Sequence, residues 1–193
     1  GGDTLDININ IDQGNQFSVR EIHISGNSKT REKIIRRKFV LNPGDTFNVS
    51  KLRRSVREVI ILNFFADVRP DVEEVNDREV DIWVEVEEKP TDQANVSAGD
   101  SERDGVIGAV GFTAPNLFGT GQRLSLDWNF GQRYASFSVS YTEPWLFDTA
   151  TLVGVSFYDV KRRWVDGFSE NLIGGSLRFG RRFRWPDDYF RGD

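Results

Sequence analysis

The chain has 193 residues and no cysteine, which excludes disulfides, thiolate nucleophiles and Cys-ligated metals. Its formal net charge of -5 argues against a nucleic-acid-binding protein, because such domains are usually basic. No apolar run approaches the roughly 20 residues that a membrane-spanning helix needs. The sequence changes character near Pro90. Dense charges and mixed periodicities precede it, whereas glycines, hydroxyl residues and aromatics follow it with a period of two.

The first residues form an isolated strand pattern. Residues 5–11 alternate apolar and polar side chains and have nothing before them with which to pair. A lone strand is not a domain, so residues 1–12 are predicted to be the last strand of a preceding domain. Because Pro90 cannot donate to a strand ladder, the remainder is divided there into residues 13–91 and 92–193.

Residues 13–91 are predicted to form a small α+β domain of order β-α-α-β-β, with two helices on one face of a sheet. In the first strand, at about 17–25, Ile22 and Ile24 are placed on the core face and Val19 on the opposite face.

Two helices and two strands complete this domain. Thr30 is the predicted N-cap of a helix that extends to about Phe39, and Ser50 is the predicted N-cap of the second helix. Two strands follow, at about 66–75 and 78–87, and the second alternates cleanly between apolar and charged residues.

Residues 92–193 are a series of about six alternating segments, each close to the roughly 9–11 residues with which a tilted strand crosses a membrane. One row of side chains is large and apolar while the opposite row is small or polar, which suits a lipid face and a wet lumen. The candidate lipid-facing residues are Val110, Phe112, Leu124, Leu126, Trp128, Phe130, Phe137, Val139, Tyr141 and Phe179. Aromatic residues crowd the segment ends, and the candidates for a membrane-interface position are Phe118, Trp145 and Phe147.

Six strands do not close a membrane barrel, because the smallest single-chain bacterial barrels have about eight. The second half is therefore predicted to be an incomplete all-β antiparallel barrel. A soluble sheet with one buried face alternates in the same way and remains the alternative. Strands cut from their barrel keep exposed edges, so this chain is expected to self-associate through them.

Several segments resemble a known family. Segments 19–27, 63–68 and 80–86, separated by two predicted helices, resemble a POTRA domain. Segments 116–121 (NLFGTG) and 142–147 (TEPWLF) resemble the opening of the barrel in the BamA family of outer-membrane protein assembly factors. The resemblance covers nearly the whole chain.

This resemblance implies a location, a role and a set of partners. Residues 13–91 would be the last POTRA domain before the barrel and would lie in the periplasm, while the barrel would lie in the bacterial outer membrane. The family folds and inserts β-barrel proteins without nucleotide hydrolysis. Its partners would be unfolded outer-membrane proteins, the lipoproteins of the assembly complex and the lipid bilayer. No nucleic acid and no cofactor are implied.

The resemblance also assigns a role to the first barrel strand, which would form one side of a lateral seam. Its candidate residues are Ala94, Asn95, Val96, Ser97, Ala98 and Gly99. This segment is small, polar and glycine-containing, which suits weak register and easy opening, and a client strand could add to it by β-augmentation. A frayed first strand is the alternative.

By the family's strand order, the POTRA strand at 66–75 should lie at a sheet edge. The candidate edge residues are Asp67, Val68, Arg69 and Val72. This edge could add a partner strand; alternatively, Pro70 and the Glu73–Glu74 pair merely prevent aggregation there.

No catalytic, cofactor-binding or metal site is predicted, so an enzyme is the least favoured class. His23 is the only histidine, and it lies beside Glu21 and Ser25 on a predicted strand face. The basic helices could meet acidic headgroups or an acidic partner, although a solvated face explains them as well. Trp83 points away from the apolar row of its strand, and its role is left open. The alternative functions are a POTRA-barrel exporter of a single passenger protein and a soluble binding module with a β-sandwich.

Overall fold

A computed structural model of the chain describes residues 15–102, 105–164, 167–182 and 191–192. The strand predicted at 5–11 lies outside these residues. The elements are β1 (Ser18–Ser25), α1 (Glu32–Arg36), α2 (Val49–Ile60), β2 (Phe65–Asn76), β3 (Glu79–Glu88), β4 (Gln93–Ser101), β5 (Gly105–Leu117), β6 (Gln122–Gly131), β7 (Tyr134–Glu143), a 3₁₀ turn (Leu146–Asp148), β8 (Thr151–Arg163), β9 (Ser169–Arg182) and β10 (Arg191–Gly192).

The predicted β-α-α-β-β order of the first domain is confirmed, and its strands form a three-stranded sheet of order β1-β3-β2. Strand β3 lies in the centre, parallel to β1 and antiparallel to β2. Alternate residues of β3 point toward the helices, so Ile82 and Val84 pack against Ile34 and Ile35 of α1 in one buried cluster. The apolar row of β3 is therefore the floor of this core.

Val19 corrects the predicted face of β1. It is buried together with Ile22, although the two residues are three positions apart and a regular strand would place them on opposite faces. The pairing of β1 with β3 shifts register between Val19 and Ile22. This irregularity inserts an extra residue and returns both side chains to the core, an effect that alternation alone does not predict.

Both predicted helix caps differ from the observed ones. Helix α1 begins after Arg31, which makes no side-chain cap, and Thr30 is buried in another contact described below. Helix α2 is capped by Asn48, whose side chain accepts hydrogen bonds from the amides of Ser50 and Lys51. Asn48 is as good a cap as serine, and it lies two residues earlier.

Seven antiparallel strands follow in the order β10-β9-β8-β7-β6-β5-β4, so each strand from β4 to β9 pairs with its neighbour in the sequence. The predicted fold class, an α+β domain followed by all-β antiparallel strands, is confirmed. The described strands form an open sheet with β4 and β10 at its ends.

The position of the α2 cap makes a direct prediction. Asn48→Ala leaves the amides of Ser50 and Lys51 without their acceptor, so it is expected to lower the free energy of unfolding by about 1 kcal/mol. Ser50→Ala is the matched control and is expected to change it by only a few tenths of that amount, because the Ser50 side chain is not the cap. Urea denaturation followed by the helical circular dichroism signal measures both. Equal losses in the two variants would contradict this assignment.

Candidate functional site

Strand β4 ends the seven-stranded sheet. It pairs with β5 from Gln93↔Thr113 to Ser101↔Gly105, and on its other side it has no partner strand among the described residues. Every side chain from Gln93 to Asp100 is exposed, including Val96, at 77%. The six candidate seam residues, 94–99, all lie in this strand. It therefore presents a free backbone edge with only small side chains beside it.

The two faces of this sheet differ in chemistry. Register pairs Val110 with Trp128 and Phe112 with Leu126, and the same row continues through Phe137 into β7. By this pairing, all ten candidate lipid-facing residues lie on one face. Many of them are exposed, and Phe179 at the far side of the row is 62% exposed.

The opposite face is lined by hydroxyl groups. One row crosses five strands through Thr113, Ser125, Ser140, Ser156 and Ser176. The hydroxyls of the last two lie 2.7 Å apart. A hydroxyl face opposite an aromatic face is the arrangement expected of a sheet that separates water from lipid.

The candidate edge strand of the first domain, β2, lies at one side of the order β1-β3-β2. Val68 is buried and Val72 half-buried on the helix side, whereas Asp67 and Arg69 are exposed. Arg69 lies within salt-bridge distance of Asp67 and of Glu85 on β3. The side chains of this edge are thus occupied within the domain, and what it offers is its backbone.

The three candidate interface aromatics lie in the two turns that approach the first domain, and they differ in exposure. Phe118 and Phe147 are 79% and 89% exposed, and both have positive φ angles, 51° and 52°. Such angles are uncommon for a bulky residue and mark tight turns. Trp145 is half-buried, because the guanidinium of Arg37 lies over its ring at 4.8 Å from the centroid.

The two sheets are joined through Asn116, which is 2% exposed. Its Nδ2 donates to Thr30 Oγ1 at 2.8 Å, and its Oδ1 accepts from the amide of Gly121 at 2.8 Å. The Arg31 amide donates to the carbonyl of Gly119 at 2.9 Å. Both ends of the Asn116 amide are satisfied, one in each domain, so this contact fixes the turn against α1.

Glu88, the last residue of β3, holds residues 28–30, the segment that leads into α1. Its carboxylate accepts from the amides of Ser28, Lys29 and Thr30 and from the hydroxyl of Ser28. Burial alone would raise the pKa of Glu88, but these hydrogen bonds outweigh it and lower the pKa to about 2. The carboxylate is therefore charged and fixed at neutral pH.

A second set of contacts surrounds Arg37 at the C-terminal end of α1. Burial lowers the pKa of the Arg37 guanidinium, while the nearby carboxylates of Glu143 and Asp148 oppose that change. Lys33 donates to Asp148 at 2.7 Å across the two domains. Its hydrogen bond holds the pKa of Asp148 below the usual range. This group of charges is the electrostatic part of the junction.

Sequence reasoning missed this junction. The local pattern predicts Thr30 as a helix cap and places Arg37 on a basic helix face that is either solvated or open to an acidic partner, and it assigns no role to Asn116 or Glu88. The available signal was the pair of glycines at 119 and 121, because glycine permits close backbone approach. A Cβ built on Gly119 would lie 1.7 Å from the carbonyl oxygen of Lys29.

Comparisons with known proteins agree with this architecture. The POTRA family model, described as "Surface antigen variable number repeat", matches residues 17–89, and the model described as "Omp85 superfamily domain" matches residues 116–191. "Outer membrane protein assembly factor BamA" of Neisseria meningitidis is 33% identical over 166 residues, which are 84% of this chain and 20% of that protein. This chain spans about a fifth of the length of the curated relatives that it matches.

Two solved structures show the same fold. BamA from Haemophilus ducreyi lacking POTRA domains 1–3 matches with a TM-score of 0.73 at 23% identity, over 88% of this chain and 33% of that one. CdiB from Acinetobacter baumannii matches with a TM-score of 0.51 at 17% identity, over 86% of this chain and 33% of that one.

These findings define a POTRA domain that continues directly into antiparallel strands of an outer-membrane barrel. Residues 116–191 match the Omp85 superfamily domain, and the resemblance of the chain to the BamA-type outer-membrane assembly factors is confirmed. Its location follows: the strands belong to the outer membrane and the POTRA domain to the periplasm.

Within the described part of the chain, no helix is long and apolar enough to cross a membrane.

The close approach of Gly119 to Lys29 predicts that a larger side chain at position 119 would disrupt the junction. Gly119 has a positive φ of +70°, and an added Cβ would clash with the carbonyl oxygen of Lys29. Gly119→Ala is therefore expected to separate the turn from α1. Gly44→Ala is the matched control, because Gly44 has a φ of +91° but no atom within 4 Å of a built Cβ. The control has only the backbone strain of about 1 kcal/mol. Hydrogen exchange at the Arg31 amide should rise in Gly119→Ala and stay unchanged in Gly44→Ala; equal exchange would contradict the contact.

Glu88 makes the stability of the POTRA domain depend on pH. Its pKa is lowered from 4.5 to about 2 on folding, so its contribution is complete above pH 4.5 and is lost as the pH falls from there toward 2. Glu88→Gln is expected to be less stable than the wild type at neutral pH, and the difference should shrink across that window. Glu87→Gln, which changes an exposed carboxylate in the same strand, is the control. Urea midpoints measured against pH test this, and a constant difference would contradict it.

Proposed function

We propose that this chain is part of an outer-membrane insertase that folds β-barrel proteins and inserts them into the outer membrane by adding client strands at a lateral seam. In this proposal β4 is one side of the seam. Residues 13–91 are the POTRA domain nearest the barrel, residues 1–12 end a preceding POTRA domain, and residues 92–193 are an incomplete barrel.

The observation that carries the proposal is the free edge of β4 on a sheet with an aromatic face. In lipid, an unpaired backbone group costs several kcal/mol, because the hydrocarbon offers no hydrogen-bond partner. A strand that gains its partner at this edge satisfies its own groups and those of β4 together. The small side chains at 94–99 give little packing that would hold any other partner in a fixed register.

The proposed partners follow from this mechanism. The clients are unfolded outer-membrane proteins, the aromatic face of the sheet meets the lipid bilayer, and the lipoproteins of an assembly complex contact the periplasmic part. Without a client strand, the free edges pair with a second copy of the chain. The relatives are named assembly factors rather than enzymes, and the mechanism needs no catalytic group, metal or cofactor.

A POTRA-barrel exporter of a single passenger protein is the second candidate. The likeness in fold to CdiB is the observation that favours it. The two functions differ in the chain that meets β4: an exporter would admit its passenger through the barrel lumen, whereas an insertase would pair a client strand with the seam.

Single cysteines test the seam directly, because this chain has no cysteine of its own. Ser97→Cys places a thiol on β4, and Ser125→Cys is the matched control on the same polar face, in the interior strand β6. The full-length protein containing this chain, freed of other cysteines and placed in phospholipid bilayers, is mixed with an unfolded β-barrel client that has one cysteine in its terminal strand. Oxidation is expected to link the client to Ser97→Cys and not to Ser125→Cys.

Two results would contradict the insertase proposal. Equal cross-linking at both positions would show that the client does not select the edge. Cross-linking of an exported passenger domain at lumen positions such as Ser125→Cys, with no barrel client at Ser97→Cys, would favour the exporter.

A further inference from the structure

The outer face of the POTRA sheet, turned away from both helices, carries an exposed aromatic pair. Trp83 is 43% exposed, and its ring is stacked on that of His23, with centroids 4.2 Å apart and planes inclined by 21°. The indole Nε1 donates to Glu73 Oε2 at 3.1 Å. The core of the domain uses the opposite row of β3, so Trp83 is held in one orientation without contributing to that core.

Carboxylates surround this pair. The strand register places His23 on one side of Trp83 and Asp71 on the other. Along β2 and β3, Arg69 is the only basic residue among the positions that share this face. The carboxylates at those positions include Asp67, Asp71, Glu73, Asp81, Glu85 and Glu87.

Two arginines neutralise only part of this charge. Arg20 forms a two-point ion pair with Asp81, which includes an Nε–Oδ1 contact of 2.9 Å. Arg69 lies 3.5 Å from Asp67 and 3.6 Å from Glu85. Neither contact reaches Asp71 or Glu73, so the carboxylates beside the free part of the indole remain available to a cation.

We propose that this face is a docking surface for a partner protein, and that an arginine of the partner stacks on the free part of the Trp83 ring between Asp71 and Glu73. A planar guanidinium matches both an aromatic face and a carboxylate, whereas a lysine ammonium matches the carboxylate alone. Tryptophan and arginine are also the residues in which binding energy is concentrated at protein interfaces. Anionic lipid headgroups would be repelled by the same carboxylates, so a basic protein surface is the occupant that fits.

The prior order imposed by His23 and Glu73 has an energetic role. A side chain that is already held in one orientation loses little conformational freedom on binding, which leaves more of the contact energy as affinity. Trp83 therefore suits a binding role better than an unconstrained surface tryptophan would.

Labelled peptides test the proposal on the full chain in detergent micelles. Fluorescence anisotropy is measured for a peptide of alternating arginine and serine, with lysine–serine and glutamate–serine peptides of equal length for comparison. The arginine peptide is expected to bind most tightly and the glutamate peptide not at all. Trp83→Thr keeps a strand-forming residue at this position. It is expected to weaken binding of the arginine peptide about tenfold, which is the effect of losing one partly desolvated cation–π contact.

A charge-matched pair of variants separates this site from general attraction. Glu73→Gln removes a charge beside Trp83 but keeps an acceptor for its Nε1, and it is expected to weaken binding about threefold, the scale of one exposed ion pair. Glu74→Gln removes the same charge from the next residue of β2, which faces the other way, and should leave binding unchanged. This pair decides the question even if Trp83→Thr fails to fold.

Three results would overturn the proposal. The first is equal binding of the arginine peptide to wild type, Trp83→Thr and Glu73→Gln. The second is binding to phosphatidylglycerol vesicles that Trp83→Thr abolishes, which would make the occupant a lipid surface. The third is a concentration-dependent dimer that Trp83→Thr abolishes, which would make it a second copy of the chain.

Discussion

A short chain of buried hydrogen bonds, from the Gly121 amide to Asn116 and from Asn116 to Thr30, determines how the two sheets of this protein meet. The α+β domain is soluble in character, with a core enclosed between helices and sheet, whereas the seven-stranded sheet has an aromatic surface. The hydrogen bonds and the ion pair described above are polar contacts that join these two bodies. Asn116 can do this because its amide donates and accepts at once.

The period of two in the second half has a larger consequence than strand formation. Because every strand pairs with the next one in sequence, the alternation in each strand is copied in register across the sheet. The result is one largely apolar face rich in aromatic residues and one largely polar face rich in hydroxyl groups. Strand β4 takes part in this pattern with small residues only, and its outer edge is therefore defined by backbone groups rather than by side chains.

The periodicity of apolar residues and the positions of turn-forming residues were sufficient to predict the elements and the class of the fold. The clean alternation from Val80 to Val86 predicted β3, and the aromatic rows predicted which side chains share a face. Other features depended on long-range contacts that no local pattern encodes. Thr30 fits a cap locally, yet Asn116, 86 residues away, takes its hydroxyl. Val19 appears on the wrong face until the irregular pairing of β1 with β3 is known. Trp83 could be recognised as an exception to its row, but only the stacking of His23 on its ring showed what holds it.

The unequal bulk of the two faces of the large sheet also determines the direction in which it can bend. The hydroxyl face carries serines together with Gly111, Gly154 and Gly174, whereas phenylalanine, leucine and tryptophan fill the other face. When a sheet curves, side chains on its concave side are crowded together and those on its convex side are spread apart. Curvature toward the serine side spreads the rows of large apolar side chains apart, and in the row from Thr113 to Ser176 it crowds only small side chains. The residue volumes alone thus give the sheet a preferred inside and outside before any further strand is added.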